Sequence, residues 1–220
     1  MKIILLIVIL VFIIPLGAAI SSDLKEEYKP GETIIGKISG NILENIEKDQ
    51  VEFKRGHVGV PLEFDMKKLK DGWYIWALAP LNENNYTLLI KDISTTLDGK
   101  SEVVDYEKNF SVIGDVADYN IKPGVISTNN DFSIIINSFK DDDFAISTNF
   151  PENREFLIKP GENKLDFSIN SIEGNSFFVI DLGMYKIPAY ITKINKVEDN
   201  LTDYFSSIRF RPRIIQSTIL

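Results

Sequence analysis

Apolar residues form one long block at the start of the chain and many short blocks after it. Past residue 23 the short blocks are strand-sized. Residues 33–38 end at Gly40-Asn41, and Val51-Glu52-Phe53 alternates apolar and polar. Residues 73–78 follow Asp71-Gly72 and stop at Pro80; residues 86–90 follow an Asn-rich turn. Val103-Val104 and residues 110–113 flank a polar stretch, 105–109. The second half continues with 132–136, 144–147, 155–158, 164–169, 177–180 and 189–191, with turns at Asp141-Asp142-Asp143, Lys159-Pro160-Gly161, Glu173-Gly174-Asn175 and Gly183. Short runs rich in Ile, Phe and Val, bounded by Gly, Pro, Asn and Asp, predict strands. One segment, 41–49, has helical spacing at Ile42, Leu43 and Ile46. No helix-length pattern separates the strands, so the sheets are predicted antiparallel and stacked as sandwiches.

The long block has a different meaning. Lys2 precedes an apolar run, 3–16, broken only by Pro15 and followed by Gly17-Ala18-Ala19 and the polar Ser21-Ser22-Asp23. A basic start, an apolar centre and small residues at a cleavage position predict a secretory signal peptide, residues 1–19, cut after Ala19. An uncleaved anchor is the alternative, since 3–20 just reaches bilayer length. Either way the rest of the chain is expected outside the cytoplasm, as a secreted or cell-surface protein.

The triplet Lys-Pro-Gly occurs at 29, 122 and 159. Pro at the second and Gly at the third position make a tight turn. The first two copies follow similarly placed tyrosines, Tyr28 and Tyr119, and are separated by 93 residues, one immunoglobulin-type domain. The expected organisation is two tandem immunoglobulin-like antiparallel β-sandwiches, 24–113 and 117–193. Residues 194–220 read as a linker with the possible start of a further β domain, in a chain cut short.

The opener Tyr28-Lys29-Pro30-Gly31-Glu32-Thr33, followed by Ile34-Ile35-Gly36-Lys37-Ile38, resembles the first strand of many extracellular Ig-like sandwiches. Macroglobulin-like domains and the sandwich repeats of prokaryotic, especially archaeal, surface proteins share it. The stretch 156–164, with its Pro-Gly-Glu turn, looks like a strand–turn–strand element of the same class. The resemblance implies an architecture and, for function, the adhesins, envelope components and spacers common in that class. It carries over no catalytic or ligand residue.

Composition narrows the chemistry. There is no cysteine, so no disulfide, thiol nucleophile or thiolate metal site. One histidine, His57, leaves no multi-histidine metal site. It sits in a basic turn with no local nucleophile or orienting carboxylate, and reads as a surface histidine. A net charge of -8 argues against nucleic-acid binding. Asp141-Asp142-Asp143 lacks the glycine-bearing spacing of a calcium loop and reads as a solvated hairpin turn. No feature selects a pair of hydrolytic carboxylates, and no phosphate loop or nucleophile elbow occurs.

Three features remain as candidate sites. In residues 73–76, alternation puts Trp73 and Ile75 on one face and Tyr74 and Trp76 on the other. If exposed, Tyr74 and Trp76 would stack on sugar rings; the competing reading is core packing. Asn85, Asn109 and Asn200 begin N-glycosylation tripeptides, the first and third in expected loops. Arg209, Arg211 and Arg213 alternate and read as an interdomain or solvent-facing stripe.

The expectation is a non-enzymatic exported surface or envelope protein with a structural, spacer or adhesion role. No cofactor and no metal are implied. Expected partners are other cell-surface or envelope proteins, or glycans, and not nucleic acid. Membrane contact would come only through an uncleaved N-terminus or a missing C-terminal anchor. The alternative is a carbohydrate-binding or accessory module of an exported enzyme.

Overall fold

Strand after strand buries alternate side chains, as a half-covered sheet requires. In β3 (Thr33–Gly40), Ile34 and Ile38 point into a core; in β7 (Gly72–Leu78), Trp73, Ile75 and Ala77 do. The computed structural model describes residues 20–97 and 99–192, and every regular element among them is a strand except a single 3-10 turn, Lys48–Gln50.

Two sheet pairs account for the strands. In the first, β1 (Ile20–Ser22), β3, β7 and β6 (Phe64–Leu69) lie side by side in that order. Facing them are β2 (Glu27–Tyr28), β9 (Lys100–Val112), β8 (Asn84–Leu97), β4 (Val51–Arg55) and β5 (Val58–Gly59). Phe53, Tyr86, Leu88, Ile90, Phe110 and Val112 from this second sheet meet the Trp73 side of the first in one core.

The second sandwich repeats the plan. One sheet is β10 (Tyr119–Lys122), β12 (Phe132–Ser138) and β15 (Gly161–Phe167). The other is β11 (Ile126–Thr128), β17 (Tyr185–Ile191), β16 (Ser176–Leu182), β13 (Phe144–Thr148) and β14 (Arg154–Ile158). Its core holds Ile121, Ile134, Ile136, Ile158, Phe167, Ile180 and Ile187, all at most 1% exposed. Burying each such side chain contributes on the order of 2 kcal/mol.

Strand for strand the two orders coincide, β1-β3-β7 with β10-β12-β15 and β2-β9-β8-β4-β5 with β11-β17-β16-β13-β14. Only β6 has no counterpart. This is the two-sheet immunoglobulin arrangement, doubled. All pairings are antiparallel except β2 on β9 and β11 on β17, two short parallel additions.

The repeat differs from the one the triplets predict. Its strands start at Ile20 and Tyr119, Glu27 and Ile126, Thr33 and Phe132, each pair 99 residues apart. The first two Lys-Pro-Gly copies, 93 apart, are therefore not equivalent. Lys29-Pro30-Gly31 joins β2 to β3 as the expected turn, with Gly31 at φ 76° and the Glu32 amide donating to the Lys29 carbonyl. Lys122-Pro123-Gly124 lies between β10 and β11, has a cis Lys122–Pro123 bond, and does not put Gly124 at positive φ.

Two further expectations change. The helical spacing at 41–49 forms no α-helix: Ile42 bridges Thr95 and the Leu43 amide donates to the Ser94 carbonyl. Nine residues make too short a helix to resist such pairing. The polar stretch 105–109 joins the two apolar runs that flank it into one strand, as the middle of β9, one of two long hairpin strands. The first sandwich also begins earlier than residue 24, because Ile20 pairs with Gly40.

Candidate functional site

The largest departure from a bland surface lies where the sandwiches meet. Alternation in β7 leaves Tyr74 and Trp76 on the outer face of the first sandwich. That face is covered. Trp76 and Tyr74 pack with Leu69 and Val125, flanked by Ile35, Leu78, Phe177 and Tyr190, the last two from β16 and β17. Trp76 is 6% exposed and Tyr74 9%, so they offer no open platform for a sugar. The exposed face that sugar stacking by Tyr74 and Trp76 would need is not present, and the competing reading, packing, describes both: two aromatic residues on an outer sheet face gain more by apolar burial against a neighbour than by exposure.

Gly124 permits this closeness. A Cβ on it would come within 2.7 Å of the Trp76 Cβ and 3.0 Å of Ile35. The second triplet thus supplies a close approach between domains rather than a turn.

A polar latch sits beside the apolar contact. Thr33, 2% exposed, opens β3. Its hydroxyl donates to the Ile121 carbonyl and accepts from the Ile121 amide, both at 2.8 Å. Its own amide donates to the Tyr185 hydroxyl at 3.2 Å, and that hydroxyl donates to the Tyr119 carbonyl at 2.9 Å. Burial pushes the Tyr185 phenol well above its ordinary range. Asn120 donates to the Gly31 carbonyl, and the Ala117 amide to the Pro30 carbonyl. Glu32, buried, takes the Lys29 amide and the Lys25 ammonium at 2.8 Å each, which holds the turn in shape. The Lys122–Glu63 pair at 3.6 Å is exposed and adds little.

Next to the latch runs a cleft of about 450 Å³. The Tyr74 and Phe177 rings form one wall, tilted at 36° with centroids 6.3 Å apart, and Lys25, Lys37 and Lys186 line it with Met184 and Pro188. Burial raises the Tyr74 phenol, helped by its hydrogen bond to Asp71. Burial also acts to raise Asp71, but hydrogen bonds from Lys37 and Tyr74 outweigh it and hold the carboxyl below its usual range.

The other candidates are scattered. His57 is exposed at the tip between β4 and β5. Asp141, Asp142 and Asp143 form an exposed turn between β12 and β13, and among the described residues no three such side chains converge as metal ligands. Asn85 lies inside β8 and not in a loop; Asn109 lies in β9. The two tripeptides interlock: Asn85 is opposite Ser111 and Thr87 opposite Asn109. Ser111 donates to the Asn85 Oδ1 and Thr87 to the Asn109 Oδ1, each at 2.8 Å. Ala19, Asn200 and the arginines at 209, 211 and 213 lie outside the described residues.

Sequence reasoning missed Thr33, Asn120, Gly124 and Tyr185. Three of them sit within five residues of a Lys-Pro-Gly triplet, the one signal available.

No protein-family model matches the chain, and no curated protein does. Solved structures of similar architecture exist. Dimeric latent PorU from Porphyromonas gingivalis is 12% identical over 83% of this chain, with a TM-score of 0.43; the chain spans 21% of that protein's length. Native alpha-2-macroglobulin from Escherichia coli, domains MG0-NIE-MG1, is 10% identical over 80% of this chain and 72% of that one, at 0.34. Domains 5-6 of the S-layer protein SbsC are 13% identical over 80% and 97%, at 0.32.

Proposed function

We propose that this is a non-enzymatic exported protein of the cell surface or envelope, in which the two sandwiches act as one rigid spacer. The observation that carries the reading is the joint. An apolar contact centred on Trp76 and a buried network through Thr33 oppose both bending and twisting, where relative motion is the default for tandem domains joined by a mainly polar contact. The aromatic pair is used up in that contact, which favours a structural role over glycan binding. Its partners would be other surface or envelope proteins. Export rests on the N-terminal pattern; cleavage after Ala19 would leave Ile20 in place to pair with Gly40.

Distance measurement tests the rigidity. The chain has no cysteine, so Val58→Cys and Leu157→Cys, at exposed positions on the two sandwiches, accept a dye pair cleanly. The expected result is one narrow distance distribution, broadened by Trp76→Ala. A broad distribution in the otherwise unaltered protein would sink the rigid-spacer reading. Recovery from the cytoplasm with Met1 retained would sink export.

A further inference from the structure

On the side of the joint formed by the Lys29-Pro30-Gly31 turn, apolar residues stay uncovered. Leu81 and Phe139 meet over Gly31, where a Cβ would lie 3.1 Å from the one and 3.0 Å from the other. Ile113 and Val116 lie on the connecting stretch bonded to the same turn, through the Ile113 amide on Tyr28 and the Ala117 amide on Pro30. All four are more than two-fifths exposed, and they are four of the ten large exposed hydrophobics among the described residues. Grouped exposure of this kind marks an interaction surface.

The surroundings are acidic. Glu83, Asp115, Asp118, Asp141, Asp142 and Asp143 are exposed within a few residues of these four, against Lys29 and Lys140. Lys140 already pairs with Asp118 at 3.5 Å. What fits an apolar surface with such a rim is a segment that alternates apolar and cationic residues.

The chain contains one. Ile208-Arg209-Phe210-Arg211-Pro212-Arg213-Ile214-Ile215 carries three arginines among apolar residues and no acid. It is within reach. Tyr185 is at the joint, and β17 runs from it for ~20 Å to Ile191. Residues 193–207 then span up to ~50 Å if extended. We propose that residues 208–215 dock on this acid-rimmed apolar surface of their own chain, Phe210 and the isoleucines against Leu81 and Phe139, the arginines towards the rim. Docked there, the segment braces the joint at the Lys29-Pro30-Gly31 turn. A tether of this length also favours the chain's own segment over one from another molecule.

Photo-crosslinking of the full chain tests it. Benzoylphenylalanine replaces Phe139 in one protein and Val58, exposed on β5 and outside this surface, in a control. Crosslinks are mapped by mass spectrometry at low protein concentration. The expected result is capture of 208–215 within one molecule from position 139, and none from position 58. Combined Arg209→Glu, Arg211→Glu and Arg213→Glu should lower the yield roughly tenfold, the loss of three surface ion pairs. Equal capture from both positions overturns the proposal. So does a yield unchanged by charge reversal, or capture only between molecules. Because Phe139 is exposed, a second probe at Leu81 guards against a folding defect at 139, and failure at both positions also overturns it.

Discussion

Thr33 shows how one residue can set the relation between two domains. Its hydroxyl serves the amide and the carbonyl of Ile121 together, which needs one proton and one lone pair and suits no aliphatic side chain. Thr33→Val keeps the volume but leaves both Ile121 groups buried and unpaired. A loss of about 2 kcal/mol is expected from urea unfolding, and Thr33→Ser should recover most of it. Trp76 makes the apolar counterpart. Its indole N–H has no hydrogen-bond partner among the described residues, so what it contributes there is burial. Trp76→Phe should therefore cost under about 1.5 kcal/mol, against roughly 3–5 for Trp76→Ala. If Phe proved as damaging as Ala, size would not be what the joint needs. At this scale the sequence was half legible. Alternation correctly separated Trp73 and Ile75 from Tyr74 and Trp76. It could not say what covers the outer pair, because Val125, Phe177 and Tyr190 stand 49 to 114 residues further on than Trp76.

The long hairpin of β8 and β9 explains why elements were easier to detect than to delimit. Pairing runs in step from Asn84 to Ile90 and resumes at Ile93, opposite Val104. The bulge between them flips the pattern, so Ile90 and Ile93 are both buried although three residues apart. The apolar run of residues 86–90 ends at the polar pair Lys91-Asp92, so the sequence marks a strand there and not its continuation to Leu97. Asp92 sits in the bulge at φ 52°, its amide donating to Asp105. Asp tolerates that conformation and β-branched residues do not. Asp92→Val should cost about 1–2 kcal/mol, while Asp92→Gly should be close to neutral; thermal melts of the pair separate backbone strain from loss of the charge. The same limit governs the repeat. Its period is set by strand pairing, and two Pro-Gly sequences in different roles, a turn and a close approach, shared letters without sharing place. Asn85 and Asn109 were readable as tripeptides, but their cross-strand locking to Ser111 and Thr87 was not, since register depends on both strands at once.

For the molecule as a whole, buried tyrosines tie stability to alkaline pH. Tyr28 lies in the first core, and Tyr119 and Tyr185 meet edge to face at 5.4 Å where the second core reaches the joint. Burial raises all three phenols above their ordinary value. A phenol raised in the folded state contributes stability that is fully present below its unfolded pKa of about 10 and is lost as pH climbs through the folded value. Asp71 works at the other end: its lowered carboxyl contributes above the ordinary carboxylate range, and that contribution fades as pH falls below it. Being part-exposed, Asp71 matters less than the phenols. The unfolding midpoint in urea should therefore hold steady from neutral pH to about 10 and then fall steeply. Tyr185→Phe removes one raised phenol together with its link from Thr33 to Tyr119. That variant should start from a lower midpoint at neutral pH, yet fall less steeply above pH about 10. A parallel fall in both proteins would mean that the alkaline loss comes from general charge repulsion in a chain of net charge -8, and not from the tyrosines that hold the sandwiches together.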